Sequence, residues 1–319
     1  MATTKTELLN NGVVVATRTA APFYSWDWTP SISGASSLTY KRYEDSILVF
    51  TSGAITGTVE APVTANLLLD DYPNAKLAYS FRKLRTAYEG AAIRVRRSSD
   101  NTFKDINFLN GVLDTASLLS FVGSGDGFVH TIYDQSLNGI NWVNENSIPG
   151  GPQPKIVSSG ALVFKNSKPV MFSTGGTMSL DVQIAITSAL STDFTVLTDT
   201  NGFGGTGFSQ GGTYAYGYFH SGSTVAINSP GVGTPSLYVN NSIFTGNRGD
   251  LYTLVNAGLK VLATTNIDMR SFTTLSLDNT ATGIIFPPSH FAEKIIYESD
   301  QEVNRVAIQN NINAYYGIY

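Results

Sequence analysis

The opening sixty residues alternate between apolar and polar positions. "ELLNNGVVVATR" sets two apolar runs around Asn11-Gly12, a strong short-range hairpin signal. "FYSWDWTP" places Phe23, Ser25 and Asp27 on one parity and Tyr24, Trp26 and Trp28 on the other. "SLTYKRY" and "SILVFTSGAITGTVEAP" continue as strands without a helical period. The pattern predicts a small β-sandwich over residues 1–62, then a short connection to a second domain over 66–319.

The second domain opens with a different period. In "YPNAKLAYSFRKLRTAYEG", Leu77, Phe81, Leu84 and Tyr88 recur at helical spacing. This predicts a helix with Asn74 as N-cap and Gly90 at its end. "AIRVRR" and "FVHTIYD" alternate as strands, and "LDTASLLSFVG" between them predicts a short helix capped by Asp114 or Thr115. From there to residue 298 the pattern predicts strands and Gly-rich turns, with turns at Gly175-Gly176, Gly211-Gly212 and Asn240-Asn241. The closing "ESDQEVNRVAIQNNINAYYGIY" predicts a helix. Ser299 and Glu302 have capping-box spacing, and Val303, Val306, Ala307, Ile308 and Ile312 supply an apolar stripe. Tyr315, Tyr316 and Tyr319 are expected to dock onto the sandwich.

Composition narrows the function classes. Of 319 residues, 42% are hydrophobic and only 14% charged, so a core is available and the surface rests on Ser, Thr, Asn, Gly and Tyr. The net charge of −4 argues against a nucleic-acid partner. No cysteine is present, which excludes disulfides and Cys metal sites. Neither a signal peptide nor a membrane-length apolar run is visible.

Two resemblances follow. "NNGVVVATRTAAPFYSWDWTP" resembles the bacterial immunoglobulin-like modules of surface and virion proteins, which implies an attachment or spacer role. The stretches "AYSFRKLRTAYEGAAIRVRRSSDNTFKDINF", "LDTASLLSFVGSGDGFVHTIYDQSLNG" and "QPKIVSSGALVFKNSKPVMF" resemble the catalytic domain of the arabinofuranosidase B family. Together with the closing segment they look most like the version found in phage structural proteins. The resemblance implies an all-β chain: an immunoglobulin-like sandwich, then a concanavalin A-like jelly-roll sandwich with a few short helices. It also implies, for the enzymes, a glutamate nucleophile in the central part. Here no glutamate lies between Glu145 and Glu293; the acids there are Asp181, Asp193, Asp199, Asp250, Asp268 and Asp278.

These features lead to an expectation of a non-enzymatic phage virion component, decorating capsid or tail. It would be assembled in the host cytoplasm and exposed on the particle. Its partners would be other virion proteins, further copies of itself and host-surface polysaccharide, with no membrane, cofactor or metal. The alternative is a glycoside hydrolase acting on arabinose-containing polysaccharide. Tyr214, Tyr216 and Tyr218, with His220 in line, form a candidate glycan-stacking row, although a core or an assembly contact is the favoured expectation. The basic cluster Arg82, Lys83, Arg85, Arg94, Arg96 and Arg97 suits an anionic glycan or, the favoured expectation, an ion-pair frame. In that frame Arg94 and Arg96 meet Asp105 and Asp134. Asp134, in "YDQSLNGINW", is otherwise expected to hold loop N–H groups, with Asn138-Gly139 turning and Trp142 packing the corner.

Overall fold

The structure, a computed structural model, describes residues 4–11, 13–19, 34–53, 55–59, 67–143, 153–172, 181–199, 208–210, 214–216, 222–224, 226–227, 233–270, 274–276 and 289–319. The chain divides into two compact units, Met1–Asn66 and Leu67–Tyr319.

The first unit holds β1 (Thr4–Asn10), β2 (Val13–Arg18), β3 (Gly34–Glu44), β4 (Ile47–Thr51) and β5 (Ile55–Val59). They form one antiparallel sheet in the order β2-β1-β3-β4, with β5 also on β3. The hairpin expected at Asn11-Gly12 joins β1 to β2, and Asn11 takes the positive φ of 49° that such a turn requires. Leu8 and Leu9 are buried, whereas Ile47, Leu48, Val49 and Phe50 of β4 stay exposed. "FYSWDWTP" lies outside the described residues.

The second unit contains, in order, α1 (Leu68–Asp71), β6 (Ala75–Ser80), β7 (Ile93–Arg97), β8 (Phe103–Ile106), β9 (Phe108–Leu109), β10 (Val112–Leu113), α2 (Thr115–Val122), β11 (Gly127–Ile132) and β12 (Trp142–Val143). Next come β13 (Lys155–Ser158), β14 (Ala161–Leu162), β15 (Phe164–Lys165), β16 (Lys168–Pro169), β17 (Met171–Phe172), β18 (Asp181–Gln183), β19 (Ser191–Asp199), β20 (Phe208–Gln210) and β21 (Tyr214–Tyr216). The chain closes with β22 (Ser236–Val239), β23 (Ser242–Ile243), α3 (Arg248–Asn256), β24 (Lys260–Ile267), β25 (Thr274–Ser276), β26 (Ser289–Tyr297) and α4 (Arg305–Tyr316). This is an all-β sandwich with a few short helices. One wall is built on the neighbours β6, β26, β19, β24 and β22. The other runs β8, β7, β11, β12, β18, β25, β20 and β21, and β13 and β17 link β11 to β26.

Two cores explain the sequence pattern. The inner core joins the walls through Leu77, Tyr79, Val95, Val129, Trp142, Leu262 and Phe291. The second lies on the opposite face of the β6-β26-β19-β24 wall, where α1 and α4 cover Ala78, Phe194, Val261 and Ile295. β6 is therefore buried on both faces, and this is why its sequence misleads. Leu77, Phe81, Leu84 and Tyr88 are spaced for a helix, but 75–80 is a strand and the rest is loop. A strand buried on both sides has no alternation to show. Asn74 enters it at φ 68° and caps no helix.

The other helices are instructive. α2 starts as expected, with Asp114 accepting from the Ser117 N–H at 3.0 Å. α3 corrects the all-strand expectation for this region; Asn247 and Asp250 close a reciprocal capping box around its first turn. α4 forms, but not on the expected cap. Glu302 instead accepts from Tyr238 Oη at 3.0 Å, Thr265 Oγ1 at 2.8 Å and Arg305 Nε at 3.1 Å. Val303 is exposed, and α4 buries Arg305, Ile308, Gln309, Ile312 and Tyr316. Tyr316 docks as expected, while Tyr319 remains half exposed.

Candidate functional site

The stretch 133–142 is a clasp on β6. Asp134 Oδ1 accepts from the N–H groups of Ala78 and Ser136, each at 2.9 Å. Its Oδ2 accepts from Ser136 Oγ at 2.6 Å and the Ile140 N–H at 3.1 Å. Gln135 takes the Leu84 N–H on Oε1 and donates to the carbonyls of Ser80 and Arg82. Asn138 donates to the carbonyls of Ala75 and Lys76. Leu137 and Gly139 supply the positive φ angles of the turn, and Trp142 is sealed against Tyr79 and Phe291. Asp134 is spent on backbone donors and has no arginine partner among the described residues, which corrects its place in an ion-pair frame.

The arginines also depart from that frame. Arg96 is buried, yet its hydrogen-bond partners are neutral: Gln153 Oε1 at 2.8 Å and Asn101 Oδ1. Burial pulls its pKa down. Arg94 is exposed and lies opposite Asp105 in the β7–β8 register. The two are joined through Tyr133, whose hydroxyl donates to Asp105 Oδ1 at 2.8 Å and also meets Arg94. The buried ion pair of the cluster is elsewhere. Arg82 grips Glu293 in bidentate fashion, Nε to Oε2 at 2.8 Å and Nη2 to Oε1 at 2.9 Å. Ser80 and Tyr316 also donate to Glu293 Oε2, and Arg82 Nη1 reaches Asn311 on α4.

The central aspartates separate by environment. Asp193 is buried on β19 and pairs with Lys294 Nζ at 2.6 Å, with Thr195 Oγ1 completing the group. Burial raises the Asp193 carboxyl and lowers the Lys294 ammonium, opposed in both by their mutual attraction. Asp250 caps α3, and Asp268 is held by Arg270 at 2.7 Å. The β-ladders align Val143, Asp181, Ser276, Ser209 and Ala215 in one cross-strand row. Asp181 thus shares a wall with β21, the strand of Tyr214 and Tyr216. Asp199 ends β19 opposite Ser289. Asp278, Tyr218 and His220 lie outside the described residues, as do the side chains of Asp181, Asp199, Tyr214 and Tyr216.

Of the other histidines, His130 contacts Thr131 Oγ1 at 2.8 Å; burial and then Arg94 and Arg96 lower its pKa. His290 stacks on Phe172, and burial pushes it down to about 4. A pocket of about 320 Å³ opens between β22, β23 and residues 226–227. Its walls include Ile227, Pro235, Leu237, Ile243 and Phe244, and among the described residues no ionisable side chain lines it. Among the described residues, no group of three or more His, Asp or Glu is placed to hold a metal. No helix among them is long and apolar enough to cross a membrane.

A family model described as "Alpha-L-arabinofuranosidase B, catalytic" matches residues 73–202. The second unit has the sandwich fold of a GH54 α-L-arabinofuranosidase solved with a cyclic sulfate inhibitor. That match has a TM-score of 0.50 and 16% identity, covering 75% of this chain and 62% of that one. A GH54 glutamate-to-glutamine mutant soaked with 4-nitrophenyl α-L-arabinofuranoside gives a TM-score of 0.49 at 16% identity, with the same coverage of each chain. The chain thus spans less than two thirds of the length of these structures. No curated protein matches. The expectation of a non-enzymatic virion component is corrected by these findings: the matching family is a catalytic domain, which favours the glycoside hydrolase alternative.

Proposed function

We propose that the Leu67–Tyr319 unit is a glycoside hydrolase of arabinofuranosidase type, acting on arabinose-containing polysaccharide. The observation that carries this is the match of residues 73–202 to an arabinofuranosidase catalytic domain. Glycoside hydrolysis needs two carboxylates, one as acid and one as nucleophile or base. Asp193, Asp250 and Asp268 are already committed to Lys294, the α3 cap and Arg270. Among the central aspartates that leaves Asp181, Asp199 and Asp278 as the candidates for the chemistry. Asp278 follows Ser276, the register partner of Asp181, by two positions in sequence. Tyr214, Tyr216, Tyr218 and His220 are proposed as the sugar contacts, on and beyond a strand of the same wall. The Met1–Asn66 unit serves as an attachment or spacer module.

The test uses the full chain with 4-nitrophenyl α-L-arabinofuranoside and with arabinan. Release of nitrophenol and of reducing sugar is expected. Asn substitution at Asp181, Asp199 and Asp278 should lower kcat by roughly 10²- to 10⁴-fold at two of the three positions. Failure to release product from either substrate, with correctly folded protein, overturns the proposal.

A further inference from the structure

The β-ladders assemble a row that neither the clasp nor the proposed hydrolase chemistry uses. Phe103 on β8 pairs with Arg96 on β7, Arg96 with Phe128 on β11, and Phe128 with Lys155 on β13. Lys155 pairs with Phe172 on β17, and Phe172 with His290 on β26. Direct antiparallel partners share a face, so aromatic and basic side chains alternate across six strands. That face points away from the inner core, because Val95 and Val129, the intervening residues of β7 and β11, are the ones that enter it. The groups touch. The Arg96 guanidinium lies 4.4 Å from the Phe128 ring centre, Arg94 lies 5.5 Å from Phe103, and Lys155 lies 5.8 Å from Phe128.

We infer that this outer face of β8, β7, β11 and β13 binds an anionic polysaccharide, with uronic-acid carboxylates on Arg94 and Arg96 and sugar rings on Phe103 and Phe128. Charge supports it. Lys155 is paired with Asp126 at 2.8 Å and Arg94 faces Asp105, which it meets through Tyr133, but Arg96 has no ion-pair partner among the described residues. Arg96 Nη2 makes no hydrogen bond among them. A guanidinium held by neutral amides carries an uncompensated desolvation cost that a carboxylate on its remaining nitrogen, Nη2, relieves. Shape supports it too. Phe103 is 40% exposed, Arg94 is exposed and Phe128 is half-buried, so the row is open at the β8 edge. Phe103 and Phe128 sit two strands apart, about 10 Å, a spacing an extended sugar chain meets at every second residue.

The inference does not depend on the hydrolase reading, and binding is measured without turnover. The full chain is run through native gels containing polygalacturonate, neutral dextran or a DNA duplex. Retardation by polygalacturonate alone is expected, weakening as salt rises. Phe103→Ala and Arg94→Gln should each weaken it about three- to five-fold, the size of one exposed cation–π contact. Both positions are exposed, and an unchanged thermal midpoint verifies that the variants fold. No retardation by polygalacturonate, unchanged retardation in both variants, or equal retardation by dextran or DNA each overturns it.

Discussion

Single buried charges set the terms at the residue scale. Lys294 and Asp193 sit inside the sandwich with side chains only 3% exposed, and each is tolerable because of the other. Lys294→Met should leave a lone buried carboxylate and cost about 3–5 kcal/mol, read from denaturant unfolding. Adding Asp193→Leu should recover most of that loss. If the two changes simply add, the pair is not the reason either charge is tolerated. Such partnerships are illegible in sequence. Arg82 finds Glu293 across 211 positions and Asn311 across 229. The partners of Arg96 include Gln153, 57 positions away. The expected frame paired arginines with the nearest aspartates, whereas the fold delivered amides to one arginine and a distant glutamate to another.

At the scale of the element, local chemistry was readable wherever it was complete within a few residues. Asp114 announced α2, and the Asn240-Asn241 turn joins β22 to β23 with both φ angles positive, 50° and 68°. α3 was missed although its signal was present: Asn247 and Asp250 have capping spacing. The largely polar run "RGDLYTLVN" hid it, with only Leu251 and Val255 buried. Because so little of α3 is buried, its cap should matter. Asn247→Ala should destabilise the unit by about 1 kcal/mol, and hydrogen exchange should show the loss first in the amides of 249–251. β6 failed for the opposite reason, since its apolar residues serve two cores at once.

For the whole molecule, Glu298 should be one contributor to acid sensitivity. Burial acts to raise its carboxyl, but hydrogen bonds from Thr187 and Lys76 outweigh it and bring the pKa down to about 2. A folded-state pKa below the unfolded one contributes stability above the unfolded value, near 4.5, that is lost as pH falls towards 2. Glu298→Gln should therefore flatten the pH dependence of the unfolding midpoint across that window. An unchanged slope would assign acid unfolding to other carboxylates. Lys76 and Glu298, 3.1 Å apart, tie the start of β6 to the end of β26.

The pairing of β6 with β26 also has a cost in time. Ser80 meets Glu293 across 213 positions, so the first long strand of this unit waits for nearly the last. At ribosomal speeds of 5–20 residues per second that is a delay of roughly ten to forty seconds. Throughout it, a strand that the finished unit buries on both faces has no neighbour on the β26 side. Contacts this remote in sequence also fold slowly once the chain is complete. The emerging polypeptide is therefore a natural client for chaperones, and the step that covers β6 is the arrival of residues 289–297.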